Sequence, residues 1–139
     1  MDIDDVKGSG TPGDPWELTT PPGKSTFTAY RDPDANPPAL VVNVTGTELR
    51  YHLRCVEDLH RMLTAHGDWM LLGNADEQKD AKPGTVEWWG RAADNPVGGW
   101  YGLKKGLRGR FGVYLPPLLE ALGLAEVTHD KRNNQMRAR

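Results

Sequence analysis

The sequence predicts an α+β domain: a small antiparallel sheet packed on a helix, followed by a helical unit that closes with a basic β-hairpin. Three observations predict it. Residues 26–30, 39–44 and 48–53 are β-branched, aromatic or apolar runs separated by turn residues. Within 54–66, Val56, Leu59 and Leu63, joined by Met62, recur at helical spacing. Within 113–122, Leu115, Leu118, Leu119 and Leu122 form a second such face, followed by two short strand-like segments. At 139 residues, with 37% apolar and 26% charged residues, the chain reads as one globular domain. A domain of that size buries roughly 68% of the surface its unfolded chain exposes, so it folds without metals or disulfides.

Residues 1–24 read as an irregular arm. Gly8, Gly10, Pro12, Gly13, Pro15, Pro21, Pro22 and Gly23 oppose a long helix or a central strand. Trp16 and Leu18 are expected to pin this arm to the body. Residues 25–72 hold the sheet and its helix. Segment 39–44 is apolar enough for a central strand, and 48–53 alternates Leu49, Tyr51 and Leu53 against Glu48, Arg50 and His52. Thr45-Gly46-Thr47 suits a tight hairpin. Glu57 and Arg61 make an i,i+4 pair on the exposed side of helix 54–66, and Gly67 ends it.

Residues 73–84 form a charged loop, whose Asp76, Glu77 and Asp80 read as solvated acids. Residues 85–139 are the helical unit with its hairpin. Thr85 caps a short helix carrying Trp88, Trp89 and Arg91. Residues 100–108 read as a weak helix, with Gly102 and Gly106 each costing about 1 kcal/mol against alanine. In helix 113–122, Pro116 and Pro117 are expected in the first turn, where a missing N–H is harmless. Gly123 stops that helix. Segments 126–130 and 135–139 then pair across Lys131-Arg132-Asn133-Asn134.

Charge divides unevenly along the chain. Residues 100–139 carry eight basic and three acidic groups, whereas residues 1–99 carry nine and sixteen. That asymmetry points to a polyanionic partner. The expected function is therefore a non-enzymatic binding module whose basic C-terminal face engages DNA or RNA through the phosphate backbone. Lys104, Lys105, Arg108, Arg110, Lys131, Arg132 and Arg137 are its candidate contacts. A second reading is a protein-interaction or self-association module using Trp88, Trp89, Trp100 and Tyr101, because adjacent tryptophans on a helix diverge by about 100° and resist joint burial. A third is a small thiol enzyme using Cys55, whose place at a helix start favours the thiolate.

Other chemistries are set aside. No catalytic residue, metal or cofactor is assigned. His60 and His66 point about 120° apart on a helix, which opposes a zinc site built with Cys55 and His52. Ser9 and Ser25, the only serines, stand outside a nucleophile elbow. The glycine-rich 98–110 stretch lacks both a P-loop and G-x-G-x-x-G. One cysteine allows no intrachain disulfide, which fits the cytoplasm. The longest apolar runs, 39–42 and 69–72, are far short of a membrane span.

Two resemblances add to this reading. Residues 118–127, Leu-Leu-Glu-Ala-Leu-Gly-Leu-Ala-Glu-Val, and 130–134, Asp-Lys-Arg-Asn-Asn, resemble the recognition-helix end and basic wing of MarR-like winged-helix regulators. That implies a winged-helix-like C-terminal unit. The helix start, Val113-Tyr-Leu-Pro-Pro117, offers no side chain for bidentate base contacts, so backbone contact is expected to dominate. Across the whole chain, the stretches 10–16, 66–69, 95–112 and 131–134 are similar to an uncharacterised bacterial single-domain family, a resemblance that implies no activity.

Overall fold

The computed structural model describes residues 6–139. A four-stranded antiparallel meander comprises β1 (Trp16–Thr19), β2 (Thr26–Asp32), β3 (Ala39–Val44) and β4 (Thr47–His52), in the order β1-β2-β3-β4. Strand β3 lies inside the sheet, and over Ala39, Leu40, Val41 and Val42 neither of its faces meets water. Its neighbours alternate instead. Phe27 and Ala29 of β2, and Leu49 and Tyr51 of β4, turn inward. The β3–β4 turn has positive φ at both Thr45 and Gly46, the geometry that suits a two-residue hairpin.

Helix α1 (Cys55–His66) follows and ends at Gly67 in the left-handed region. Leu59 and Leu63 are fully buried. The expected Glu57–Arg61 pair is replaced by Asp58, which is itself buried. Its carboxylate accepts from Arg54 Nε at 2.6 Å and Tyr101 Oη at 2.9 Å, and Arg61 lies 3.8 Å away.

Strand β1 belongs to the stretch expected to be irregular. Four residues pair with β2, and Trp16 and Leu18 face inward, as their expected pinning role requires. Of the rest of the arm, residues 1–5 lie outside the described residues, and residues 7–14 fold back on the strand. Asp14 O accepts from the amides of Ser9 and Gly10, Gly10 O accepts from Arg31 N, and the Arg31 guanidinium lies 4.7 Å from the Trp16 ring centroid.

Residues 100–108 do not form the expected helix. They run beside β4, with His52 N donating to Tyr101 O and Leu103 N donating to Arg50 O. The glycine there serves a close approach: a Cβ on Gly102 would run into the Arg108 backbone.

The last elements are β5 (Met70–Leu71), α2 (Val86–Trp89), α3 (Phe111–Ala121), β6 (Ala125–Val127) and β7 (Gln135–Ala138). Thr85 caps α2 as expected, accepting from Trp88 N at 3.1 Å. Strands β6 and β7 form the expected hairpin. β5, unforeseen in the sequence, pairs with the other edge of β7, giving the order β5-β7-β6. Helix α3 starts two residues earlier than expected, so Pro116 and Pro117 lie inside it rather than in its first turn. Phe111, Gly112, residues 114–119 and Ala121 are all buried, and α3 packs against α1, α2, β1 and β6. Within α3 only Val113 and Glu120 are partly exposed, so the helix presents little surface to a major groove, and the winged-helix resemblance is not shown.

Trp89, Tyr101, Phe111 and Tyr51 form the aromatic centre of the core. Ring centroids lie 5.2 Å apart for Trp89–Tyr101, 5.3 Å for Tyr101–Phe111 and 5.9 Å for Tyr51–Phe111. Among the described residues, no helix is long and apolar enough to cross a membrane.

Candidate anion-binding groove

The basic residues singled out by the sequence divide into two groups. Arg108, Arg110 and Arg137 each meet a carboxylate. Arg108 Nε lies 2.6 Å from Glu77 Oε1, and the amides of Arg108 and Gly106 donate to the same carboxylate. The Arg108 side-chain bond, with those two amides, outweighs burial and holds the Glu77 carboxyl below its usual range. Arg110 Nε lies 2.6 Å from Asp76 Oδ1. Arg137 pairs with Glu126 at 3.1 Å and sits over the Trp69 ring. Asp76 and Glu77 are therefore structural partners rather than solvated acids. Lys104 and Lys105 are exposed in a turn closed by the Leu107 N to Lys104 O bond. Three of the seven cations expected on one basic face are thus each paired with a carboxylate.

Arg110, Lys131 and Arg132 do converge. With Lys24 and Lys82, which the sequence reading passed over, they line a groove of about 630 Å³. The five cations come from four segments: the β1–β2 loop, the 73–84 loop, the entry to α3, and the β6–β7 hairpin tip. No Asp or Glu is among the described residues that line the groove. Of the five, only Arg110 has a carboxylate within ion-pair distance among the described residues. Ser25, Thr26, Asn74 and Asn133 add hydrogen-bonding groups, while Leu71, Val44 and Val113 add apolar surface.

Local chemistry fixes each wall. At the hairpin tip, Asn134 is buried and makes three side-chain hydrogen bonds. Its Oδ1 accepts from Thr128 Oγ1 (2.8 Å) and Asp130 N (2.7 Å), and its Nδ2 donates to Asp130 O (2.9 Å). Leu72 N donates to Asn134 O, tying the tip to the strand beside it. Asn133 takes the left-handed conformation, which asparagine tolerates, and Lys131 and Arg132 are left exposed. The floor is the crossing of Leu72–Gly73 with the start of α3. A Cβ at Gly112 would collide with the Leu72 carbonyl, so only glycine permits this approach.

Buried Glu87 holds the same crossing, accepting from Gly112 N at 3.0 Å and Arg91 Nη2 at 2.8 Å. Arg91 also donates to the carbonyls of Lys79 and Ala75, shaping the loop that carries Lys82. The β1–β2 wall is tied down by His129. Its Nδ1 lies 2.9 Å from Pro21 O and its Nε2 lies 2.6 Å from Glu120 Oε2. Burial pulls the His129 pKa down. The Glu120 hydrogen bond, the Pro21 carbonyl and the charges of Glu120 and Asp130 together outweigh it and raise the pKa above its ordinary value.

A second cavity, of about 920 Å³, lies between the N-terminal arm, the first sheet and α3. It is lined by charges of both signs, Lys7 against Glu17 and Glu120, and lacks the bias of the first.

The aromatic surface expected for a protein partner is mostly interior. Tyr101 is fully buried. Trp89 is half-buried against Tyr101 and Phe111. Trp100 is half-buried under the guanidiniums of Arg91 and Arg108, at 4.4 and 4.5 Å. Trp88 alone is exposed. Cys55 is fully buried and desolvation pushes its thiol well up, so the helix start supplies no thiolate for the enzyme reading.

Residues 8–139 match the pattern of a family of unknown function, DUF6855, and the chain belongs to that family. No curated protein and no solved structure matches the chain.

Proposed function

We propose that this member of the family is a non-enzymatic module that binds nucleic acid, DNA or RNA, through the phosphate backbone, working in the cytoplasm. The observation that carries the reading is the convergence of Lys24, Lys82, Arg110, Lys131 and Arg132 on one groove with no carboxylate among its described lining residues. Only Arg110 of the five has a carboxylate partner among the described residues, Asp76, so the cations repel one another, and a polyanion relieves that repulsion while releasing its own counterions. In this reading the hairpin tip acts like a wing, giving Lys131 and Arg132 to phosphates, while α3 serves as scaffold.

A salt titration of binding to random-sequence oligonucleotides tests it. With three to five phosphates neutralised, log K should fall against log salt with a slope of roughly −2 to −4. Lys131→Glu/Arg132→Glu should weaken binding at least about tenfold and flatten the slope, while Lys104→Glu/Lys105→Glu should do neither. Absence of binding at low ionic strength, or equal losses from both double variants, would remove the reading.

A further inference from the structure

His129 joins three of the segments that build the groove. It belongs to the β6–β7 hairpin, two positions before Lys131. It reaches Pro21 O on the β1–β2 loop and the Glu120 carboxylate on α3. That loop is closed on itself: Thr20 N donates to Ser25 O, Gly23 N to Thr20 O, and Ser25 N to Thr20 Oγ1. Lys24 sits inside this closed turn, and Thr20, Pro21, Lys24 and Ser25 all line the groove. Among the described residues, His129 is the one residue outside the loop that hydrogen-bonds to residues 20–25. The placement of Lys24 therefore depends on a single external contact.

That contact depends on a proton. The imidazolium donates from both ring nitrogens, whereas neutral imidazole has one donor and must turn a lone pair toward one of the two oxygens. Glu120 on α3 and Asp130 beside it in the hairpin favour the charged ring. Across the second cavity, which His129 lines, Glu17 of β1 and Lys7 of the arm bring opposite charges; Lys24 and Lys131 line the groove instead.

We infer that nucleic-acid binding in the groove is proton-linked through His129, whose imidazolium latches the β1–β2 loop to α3 and so holds Lys24 in place, and whose neutral form releases it. The inference rests on the nucleic-acid reading above and makes His129 a positioning residue. Because the folded pKa is raised, the latch is complete below the ordinary value of about 6.5 and is lost as pH rises through the folded one. Lysine, arginine and the phosphodiester backbone keep their charges across the range where histidine titrates, so the contacting charges do not themselves create this dependence.

The test is fluorescence anisotropy with a labelled random-sequence oligonucleotide at fixed low salt, from about pH 6 to about pH 8.5. Affinity should fall about threefold or more as pH rises. His129→Gln, which leaves His52, His60 and His66 in place, should bind as weakly at low pH as the parent does at high pH and lose the dependence. Lys24→Gln should lose it too, while a histidine acting only as one more positive charge would keep its effect in that variant. By reciprocity, the oligonucleotide should raise the midpoint of the His129 ring signals in an NMR titration of the parent protein. Binding that does not change with pH, a dependence that survives in either variant, or an unmoved His129 midpoint would each overturn the latch and leave the phosphate reading standing. Absence of binding at every pH would overturn both.

Discussion

His129 bonds to Pro21, 108 positions away, and to Glu120 on α3. Both ring nitrogens face oxygen acceptors, and only the imidazolium can donate to both at once. Its folded pKa is raised, so its contribution to stability is fully present below the ordinary value of about 6.5 and is lost as pH rises through the folded value. His129→Gln should therefore lower stability by about 1 kcal/mol or less at mildly acid pH, the range for a half-exposed pair, and by progressively less in alkaline buffer. Denaturant melts of both proteins across that window measure it, and a difference that grows with pH would refute the assignment. Glu77 has the opposite sign. Its pKa is depressed, so its stabilisation holds above the ordinary carboxylate range and disappears as pH falls through the folded value. Neither role shows in the sequence. His129 follows a strand with no partner in view, and Glu77 meets Arg108 across 31 positions.

At the scale of elements, the structures built on local pattern were legible. The β2–β3–β4 meander, α1 with its Gly67 terminus, the Thr85 cap and the β6–β7 hairpin all follow from alternation, helical spacing, turn residues and caps. The elements that depend on distant partners were not. β1 is four residues among prolines and glycines and exists because β2 pairs with it; β5 is two residues held by β7. In 95–112, glycines that weaken a helix instead allow backbones to meet, as Gly102 does against Arg108 and Gly112 against Leu72. The hairpin tip shows how one side chain shapes an element. Asn134→Ala removes three hydrogen bonds from a buried position and leaves their partners unmatched. The expected cost is about 1–3 kcal/mol, read as a lower denaturant midpoint at unchanged slope. A change within about 0.5 kcal/mol would show that the tip does not depend on Asn134.

At the scale of the molecule, the charge asymmetry along the chain does not fold into two separate halves. The acidic front half does not stand apart from the basic back half, because its 73–84 loop reaches over and pairs Glu77 with Arg108 and Asp76 with Arg110. Within the groove, the cations without a carboxylate partner among the described residues come from both halves: Lys24 and Lys82 from the front, Lys131 and Arg132 from the back. Arg110, Lys131 and Arg132 were legible because they are basic and flank a helix start and a turn. Lys24, in a proline-rich loop, and Lys82, in a loop of mixed charge, gain meaning only when four segments close around one space. The central claim is that this space, and not the Lys104–Lys105 turn, receives the ligand. Amide chemical-shift mapping during titration with an oligonucleotide at low salt tests it most directly. The account predicts shifts clustered at Lys24, Ser25, Lys82, Arg110 and residues 131–134; shifts centred on Lys104 and Lys105, with those positions unmoved, would contradict it.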